Sequence, residues 1–323
     1  MPQPPVRFIR VVETSPLTPH MVRVTFGGDD LAELTARLAA LGPDQQVKLY
    51  FPRPGQTVPH LPPVAGADDA SWYAAYTAVP EDERPWMRSY TIRAHDPVRA
   101  TVDIDFVLHG SALHDGSALH DDSALHDDSA PHDVAGPATR WARTARPGDV
   151  LAMYGPDGPY ARSVPLTVSV ADADWVLMAG DESALPGIGT LAEALPAGRP
   201  ALVFVEVGGP ADEQPIGSPG DLTVHWLHRG ATPAGSSSAL VDAVRDVRFP
   251  EGRVFAWLGG EAGAVRALRR HLVDERGVDK RAIEFAGYWR HRRTQDDPPT
   301  EQDLADAQEL LLRAEEPAAQ ARE

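Results

Sequence analysis

The chain has 323 residues, a formal net charge of -17 at pH 7 and no cysteine. A length above the usual limit for a single core predicts about two domains. The absence of cysteine excludes disulfide scaffolds, iron–sulfur clusters, thiolate zinc sites and thiol nucleophiles. The acidic balance argues against nonspecific binding to nucleic acid or to anionic membranes, so an anionic ligand has to meet a local basic cluster.

The first thirty residues contain no apolar stretch typical of a signal peptide, and no uninterrupted apolar run approaches 18 residues. The sequence therefore predicts a soluble cytoplasmic protein without stable membrane association. Lysine is scarce, since Lys48 and Lys280 are the only two among 30 basic residues. Nucleotide bias in the coding DNA is the simplest cause of this scarcity.

The first half of the chain has the alternating pattern of β-strands. Apolar and polar residues alternate over 22–26, 47–51 and 101–108. Connections rich in proline and glycine separate these segments, which favours an antiparallel sheet or barrel. A short helix is expected near 29–40, at one end of the barrel.

The second half has a different pattern. Short continuous apolar runs occupy 174–180, 201–207, 222–227 and 252–260, and amphipathic helical patterns occupy 236–247 and 261–277. Apolar strands alternating with helices predict a parallel α/β sheet. We expect a β domain over 1–165, an α/β domain over 166–298 and a helical tail over 299–323, which either docks on the body or frays.

Residues 111–133 form a tandem repeat of six-residue units. His114, His120, His126 and His132 recur every six residues, and an aspartate follows each. Imidazole and carboxylate together bind divalent metals, so one interpretation is a weak multivalent metal-binding loop. The other is a disordered insertion produced by replication slippage, because the segment is poor in apolar residues. A spacing of six suits neither one helical face nor a compact ligand pair.

Two segments of the first half suggest a flavin site. In RSYTIR, over 88–93, Arg88 can fork a phosphate, Tyr90 can lie against an isoalloxazine ring, and Thr91 can bond the edge of that ring. In GPATRWA, over 136–142, a proline-started helix can offer free N–H groups to a pyrophosphate, and Thr139 can add a hydroxyl. The alternatives are an exposed barrel strand and a helix that packs Trp141 into the barrel.

Two further segments suggest how an anionic nucleotide binds. GDESALPGIGT, over 180–190, follows an apolar strand directly, where doubly wound sheets bind nucleotides, and Gly187 and Gly189 would allow close backbone approach. Glu206 ends the next strand and would hold a ribose diol, which favours NADH if the strand order is the usual one. IEFAGYWRHRR, over 283–293, is the densest basic patch of the chain; it is either functional or a solvated turn.

Six segments in this order, RSYTIR, DFVLHG, GPATRWA, GDESALPGI, WLGGE and GYWRHR, resemble the siderophore-interacting proteins. These are flavin-dependent ferric-siderophore reductases related to ferredoxin–NADP reductases. The resemblance covers about residues 5 to 293 apart from the repeat. It implies a β plus α/β fold, with a six-stranded antiparallel FAD-binding barrel followed by a parallel nicotinamide-nucleotide domain.

The resemblance also assigns residues. Those it places at the cofactors are Arg88, Ser89, Tyr90, Thr91, Asp105, Val107, His109, Ala138, Thr139, Asp181, Glu182, Ser183 and Ala184. Those it places at the ferric chelate are Lys48, Arg290, Arg292 and Arg293. Thr139 stands where the family usually has Ser, and Ser183 where Thr is common. The repeat interrupts the flavin-binding segments, so it has to loop out if FAD is to bind.

The function implied by the resemblance is electron transfer from NADH or NADPH through FAD to Fe(III) in a siderophore. The cofactor carries the chemistry and no resident metal is expected. One alternative is another flavin reductase of the same superfamily, acting on free flavin or a ferredoxin. A second, from a different class, is a non-enzymatic protein that binds metal through the repeat.

Overall fold

The computed structural model describes residues 6–28, 30–62, 69–109, 135–156, 164–294 and 296–315. The histidine repeat at 111–133 lies outside these residues, so neither interpretation of it is tested. Within them the chain forms a closed β-barrel followed by a parallel sheet covered by helices. This is the predicted fold class. The predicted domain boundaries stay a prediction.

The barrel has the strand order β1-β2-β5-β4-β3-β6, and every pairing is antiparallel. Its strands are β1 (Val6–Thr18), β2 (Met21–Gly27), β3 (Gln46–Phe51), β4 (Trp86–Asp96), β5 (Thr101–Val107) and β6 (Val150–Tyr154). Three helices belong to this half: α1 (Leu31–Leu41), α2 (Asp69–Thr77) and α3 (Pro137–Thr144). Closure of the barrel leaves no free strand edge.

The alternation seen in the sequence decides which side chains fill the barrel. On β5, Val102, Ile104 and Phe106 are fully buried in the barrel core. Trp141 of α3 closes one end of this core, with its ring stacked on Phe26 at a centroid distance of 6.0 Å. The packing of Trp141 into the barrel, which the sequence offered as the alternative interpretation of this helix, is therefore present, and it fixes α3 over the ends of the strands.

The second half is a five-stranded sheet of order β11-β10-β7-β8-β9, parallel throughout. Its strands are β7 (Trp175–Asp181), β8 (Pro200–Val207), β9 (Asp221–His228), β10 (Val254–Glu261) and β11 (Ile283–Trp289). Its helices are α4 (Leu166–Asp172), α5 (Leu185–Glu193), α6 (Ala239–Asp246) and α7 (Ala262–Arg270). Apolar residues of α4 and α5 cover one face, and those of α6 and α7 cover the other.

The order of the strands creates a switch point. The chain leaves the central β7 toward β8 and β9, then crosses to the other side for β10 and β11. In open α/β sheets, ligands bind outside the carboxyl ends of the strands at such a point. The carboxyl ends of β7 and β10 therefore mark the expected nucleotide site.

The tail forms a helix, α8 (Glu301–Glu315), that docks on α7. Arg266 donates to Asp303 at 2.6 Å and to Asp306 at 2.8 Å, and Arg269 donates to Glu309 at 2.5 Å. Of the two expectations for the tail, docking is the one the structure shows. Among the described residues, no helix has the length and apolar character needed to cross a membrane.

Candidate functional site

The mouth of the barrel carries a cluster of aromatic rings. The ring of Tyr90, on β4, lies 4.5 Å from that of Phe106 and 6.3 Å from that of Phe51, measured between centroids. Burial raises the pKa of the Tyr90 phenol well above its ordinary value, so the ring stays neutral. Because Trp141 also packs on Phe106, this surface is rigid.

The two hydroxyls beside Tyr90 have different partners. Ser89 accepts a hydrogen bond from the Nζ of Lys48 at 2.5 Å. Thr91 is buried, and its hydroxyl forms no hydrogen bond with any described residue. The Thr91 hydroxyl is not among the fully buried side-chain atoms that lack a partner, so it remains accessible to a ligand. Thr91 therefore suits a ring-edge hydrogen bond to a bound cofactor.

The predicted site residues on and just after β5 already accept hydrogen bonds from other groups of the protein. Asp105 accepts two hydrogen bonds from Arg23, at 2.7 and 2.9 Å, on the outside of the barrel. The carbonyl of Val107 accepts from the Thr139 hydroxyl at 3.3 Å, and that of His109 accepts from Arg143 at 3.1 Å. These bonds hold both ends of α3 against the end of β5 and the residues that follow it.

The first turn of α3 keeps the property that the sequence predicted. Gly136 precedes the helix and supplies no capping side chain, and Pro137 fills the first position. Ala138 and Thr139 are buried in this turn. The Thr139 hydroxyl donates to the Val107 carbonyl at the end of β5. The N–H groups of the turn have no intrahelical acceptor, so they fit a phosphate.

At the carboxyl edge of the sheet, Asp181 is the central acceptor. Its Oδ1 accepts from the backbone N–H of Ser183 at 2.9 Å and from the Ser183 hydroxyl at 2.5 Å. Its Oδ2 accepts from the N–H of Glu261 at 2.8 Å and from the indole N–H of Trp289 at 2.9 Å. One carboxylate thus ties together the ends of β7, β10 and β11.

Glu182 and Ala184 complete this edge in different ways. Glu182 is 2% exposed and forms an ion pair with Arg229, which follows β9. Burial raises the pKa of the Glu182 carboxyl to about 6, although the cation of Arg229 opposes the shift. Ala184 is fully buried under the turn. Asp181 and Glu182 therefore shape the edge, and Ser183 lies at its surface.

Glu206 lies where the sequence argument needs it. It is the neighbour of Asp181 in the β7–β8 register, and the sheet has the usual strand order around that pair. Glu206 is 5% exposed and makes no hydrogen bond or ion pair with the described residues. Its role in selecting NADH stays a prediction.

The barrel and the sheet meet at these two sites. The ring of His109, at the end of the barrel strands, lies 5.5 Å from that of Trp289, whose indole bonds Asp181. Burial lowers the pKa of His109, which keeps its imidazole neutral near pH 7. The predicted flavin segment and the predicted nicotinamide segment are thus brought together.

A second set of contacts fixes this arrangement. Asp44, in the left-handed conformation before β3, accepts from the indole of Trp257 at 3.1 Å and from the hydroxyl of Tyr288 at 3.3 Å. A Cβ on Gly187 would lie 2.7 Å from Trp257, and one on Gly189 would lie 2.9 Å from Arg93. Gly187 therefore leaves room for the Trp257 ring within the α/β half, and Gly189 leaves room for Arg93 of the barrel; the approach of a ligand at these glycines stays a prediction.

The four basic residues assigned to the chelate do not form one cluster. Lys48 lies on β3, and burial lowers the pKa of its ammonium group. Arg290 is engaged by Asp303 of α8 at 2.6 Å. Arg292 and Arg293 are exposed on the turn that follows, where Arg292 has a φ of 62°. Of these four residues, only Arg292 and Arg293 are exposed to solvent.

Three residues at the site were not among those assigned from the sequence. Trp289 joins the two halves through Asp181, Arg229 pairs with Glu182, and Asp296 accepts from Arg88 at 2.6 Å. Trp289 and Arg229 stand directly at strand ends, which is a usable signal. Asp296 lies in the tail, and no motif marks it.

The donor set fits FAD. It comprises a guanidinium at Arg88, a neutral aromatic ring at Tyr90, a hydroxyl at Thr91 and an open helix N-terminus at α3. The fold, a six-stranded antiparallel barrel joined to a parallel sheet, is shared with a ferredoxin reductase in carbazole 1,9a-dioxygenase, which has 14% identity and a TM-score of 0.52. This likeness defines the fold class, and the donor set indicates a flavin-binding protein.

Comparison with family models gives the particular family. Residues 10–160 match the siderophore-interacting FAD-binding domain, and residues 173–292 match the siderophore-interacting protein model. The chain belongs to the siderophore-interacting protein family. Among the described residues, no group of three or more His, Asp and Glu side chains is arranged to hold a metal ion.

Individual relatives agree with this membership. A siderophore utilization protein from T. fusca has 33% identity and a TM-score of 0.68, over 90% of this chain and 95% of that one. The ferric vibriobactin reductase ViuB of Vibrio cholerae has 28% identity, over 90% of this chain and 91% of the relative. The NADPH-dependent ferric-chelate reductase of Escherichia coli has 27% identity, over 88% and 92%.

Proposed function

We propose that this protein is an FAD-dependent NAD(P)H:ferric-siderophore oxidoreductase that releases iron in the cytoplasm. The observation that supports this most directly is the junction at Trp289, where the end of the barrel meets the carboxyl edge of the sheet. Transfer of a hydride to a flavin requires the two rings to meet, and this junction supplies the place. Relatives named as ferric reductases support the choice of substrate.

Each half of the junction has its own task. Arg88 and the first turn of α3 would hold the diphosphate of FAD, while Tyr90 and Thr91 would orient its ring. When bound, FAD supplies the conversion between a two-electron hydride donor and the one-electron reduction of Fe(III). Asp181 holds Ser183 and Trp289 in position at the nicotinamide side, and the buried surroundings exclude water.

The ferric chelate would bind beside the barrel. Lys48 is the basic group on β3, hydrogen-bonded to Ser89 next to Arg88, and the exposed Arg292 and Arg293 add positive charge. In a chain of net charge -17, basic groups such as these are needed to attract an anionic chelate, although Lys48 and the turn of Arg292 and Arg293 do not form one cluster. The domain boundaries predicted from the sequence, at 165/166 and 298/299, are part of this proposal.

Anaerobic titration tests the proposal. Purified protein should be yellow, and NADH or NADPH should bleach its flavin absorbance. Addition of a ferric siderophore should then restore the absorbance and release two Fe(II) per nicotinamide oxidised, because one hydride carries two electrons. Failure of both nucleotides to bleach the flavin would refute the nicotinamide half of the proposal.

Two other outcomes identify the alternatives. Bleaching by a nucleotide, followed by reoxidation with free flavin or ferredoxin but not with any ferric siderophore, would indicate another reductase of the same superfamily. Colourless protein that takes up zinc or nickel stoichiometrically would indicate a metal-binding protein that acts through the repeat. Parallel assays with NADH and NADPH would also show which donor is preferred, and Glu206 predicts NADH.

A further inference from the structure

Arg88 already holds an anion that belongs to this chain. One terminal nitrogen of its guanidinium donates to the carbonyl of Met87 at 2.7 Å, and the other donates to Oδ2 of Asp296 at 2.6 Å. The Arg88 side chain is 14% exposed and that of Asp296 is 38% exposed. A carboxylate from the tail therefore lies on the group that we assign to the diphosphate of FAD.

The backbone around Asp296 is held at both ends. On one side, Asp297 accepts hydrogen bonds from the backbone N–H and the hydroxyl of Thr294, at 2.5 and 3.1 Å. On the other, Asp303 accepts from the N–H and the hydroxyl of Thr300, both at 2.7 Å. Residues 296–315 are here called the C-terminal strap. The hydrogen bonds on either side of Asp296 fix the position of this residue beside Arg88.

The strap itself is fastened by charge. Asp303 accepts from both Arg266 and Arg290 at 2.6 Å. Partial burial alone would raise the pKa of Asp303, but hydrogen bonds from Thr300 and the cation of Arg266 hold it well below its ordinary value. Asp306 also bonds Arg266. The strap stays docked near neutral pH because Asp303 is ionised there.

The charges decide what the contact does to FAD. Arginine forks a carboxylate or a phosphate with the same donors, so the two anions compete for them. A carboxylate left beside a diphosphate would also repel it. Orientation of Arg88 does not need Asp296, because the bond to the Met87 carbonyl already directs the guanidinium without adding charge.

We propose that Asp296 is an internal competitor for the diphosphate of FAD: its carboxylate occupies Arg88, and FAD has to displace it. The proposal rests on the assignment of Arg88 to FAD in the proposed function. The strap thereby sets how tightly this chain holds its cofactor. Because the pair is partly exposed, it is an exchangeable contact rather than a fixed one.

Titration of FAD-free protein with FAD, followed by quenching of flavin fluorescence, tests the proposal. Asp296→Asn should lower the Kd for FAD by about threefold to tenfold, the range of one partly exposed charge-assisted contact. The matched control is Glu301→Gln, which removes the same charge from an exposed position of the strap that makes no contact with Arg88. The control should leave the Kd unchanged.

A double-mutant cycle completes the test. In an Arg88→Gln background, FAD should bind more weakly than to the unmodified chain, and Asp296→Asn should then lower the Kd by a smaller factor than it does with Arg88 present, because only the direct repulsion remains. An unchanged or raised Kd in the Asp296→Asn single variant would overturn the proposal.

Failure of the proposed function gives different results. If neither the unmodified chain nor the Asp296→Asn variant binds FAD, the protein is not a flavoprotein. The proposal that Asp296 competes with FAD is then refuted as well. If Arg88→Gln binds FAD as tightly as the unmodified chain, the protein remains a flavoprotein but the competitor proposal is overturned. Circular dichroism of each variant establishes that it is folded.

Discussion

The edge of the sheet and the C-terminal strap both place carboxylates at the site, and they do so in opposite ways. Asp181 is 8% exposed, and all four of its hydrogen bonds come from the ends of the strands and the turn that follows. Asp296 is 38% exposed and has one cationic partner, Arg88. The buried carboxylate therefore builds a frame, whereas the exposed one is a replaceable partner.

The first test concerns Asp181, the buried carboxylate of this pair. Asp181→Asn replaces one carboxylate oxygen by an NH₂ group, and in either amide orientation that group faces two donors. We expect a loss of about 3 kcal/mol in the free energy of unfolding, measured with urea. The control, Asp221→Asn at the exposed start of β9, should cost less than about 0.5 kcal/mol. Equal losses in the free energy of unfolding for the two variants would show that Asp181 does not hold the strand ends together.

Glu182 gives a test through pH. Its pKa is about 6 in the folded chain, above an ordinary value of 4.5, so between these values the native state binds more protons than the unfolded state. The free energy of unfolding should therefore fall as pH rises through this window, by up to about 2 kcal/mol. The Glu182→Gln variant should lack this fall in the free energy of unfolding. If the pH profiles of the variant and the unmodified chain stay parallel, the raised pKa of Glu182 is contradicted.

The two lysines of the chain provide a matched pair for the basic surface. Lys48→Ala should raise the KM for a ferric siderophore about tenfold, the size of one lost charge-assisted contact, and leave the FAD content unchanged. Lys280→Ala removes the same charge from an exposed site before β11 and should change neither quantity. Loss of FAD from the Lys48 variant would contradict its role at the chelate.

Lys48 also predicts a pH dependence of substrate binding. Because burial lowers its pKa, the ammonium group loses its proton at a lower pH than an ordinary lysine. The KM for an anionic chelate should therefore rise on the alkaline side, and Lys48→Arg should flatten that rise since arginine stays charged. The same rise in both proteins would exclude Lys48 as its source.

The smallest effect is expected outside the described residues. Deletion of 111–133 should leave the Kd for FAD unchanged if the repeat is an inert insertion between the flavin-binding segments. Isothermal titration calorimetry with zinc or nickel tests the other interpretation, in which the repeat binds metal. Loss of stoichiometric metal uptake on deletion would support that interpretation. A deletion variant without FAD would refute the inert interpretation.

Much of the fold followed from patterns that depend on near neighbours. The alternation on β5 and the apolar run on β7 predicted their own burial, because a strand repeats every two residues and a parallel strand is covered on both faces. The helix predicted over 29–40 is α1 (Leu31–Leu41). The helix predicted over 261–277 is also present: α7 (Ala262–Arg270) continues directly into a turn of π-helix over His271–Glu275.

Site residues were predictable as members of motifs, whereas their partners were not. RSYTIR marks Arg88, but nothing local marks the bond across 208 positions to Asp296. Gly187 and Gly189 suggested a ligand, and the close neighbours turned out to be Trp257 and Arg93. Side chains of Arg and Asp choose partners by three-dimensional proximity, which a spacing in the sequence does not encode.

By itself, the sequence determined the two-part architecture, the family resemblance and the residue types available at each strand end, because these depend on periodicity and local motifs. The tertiary structure alone decided which carboxylates are locked and which can be displaced. Asp181 is buried where three strands end, and Asp296 is carried to Arg88 by a docked helix. Burial and the number of donors around each oxygen, both set by packing, make that difference.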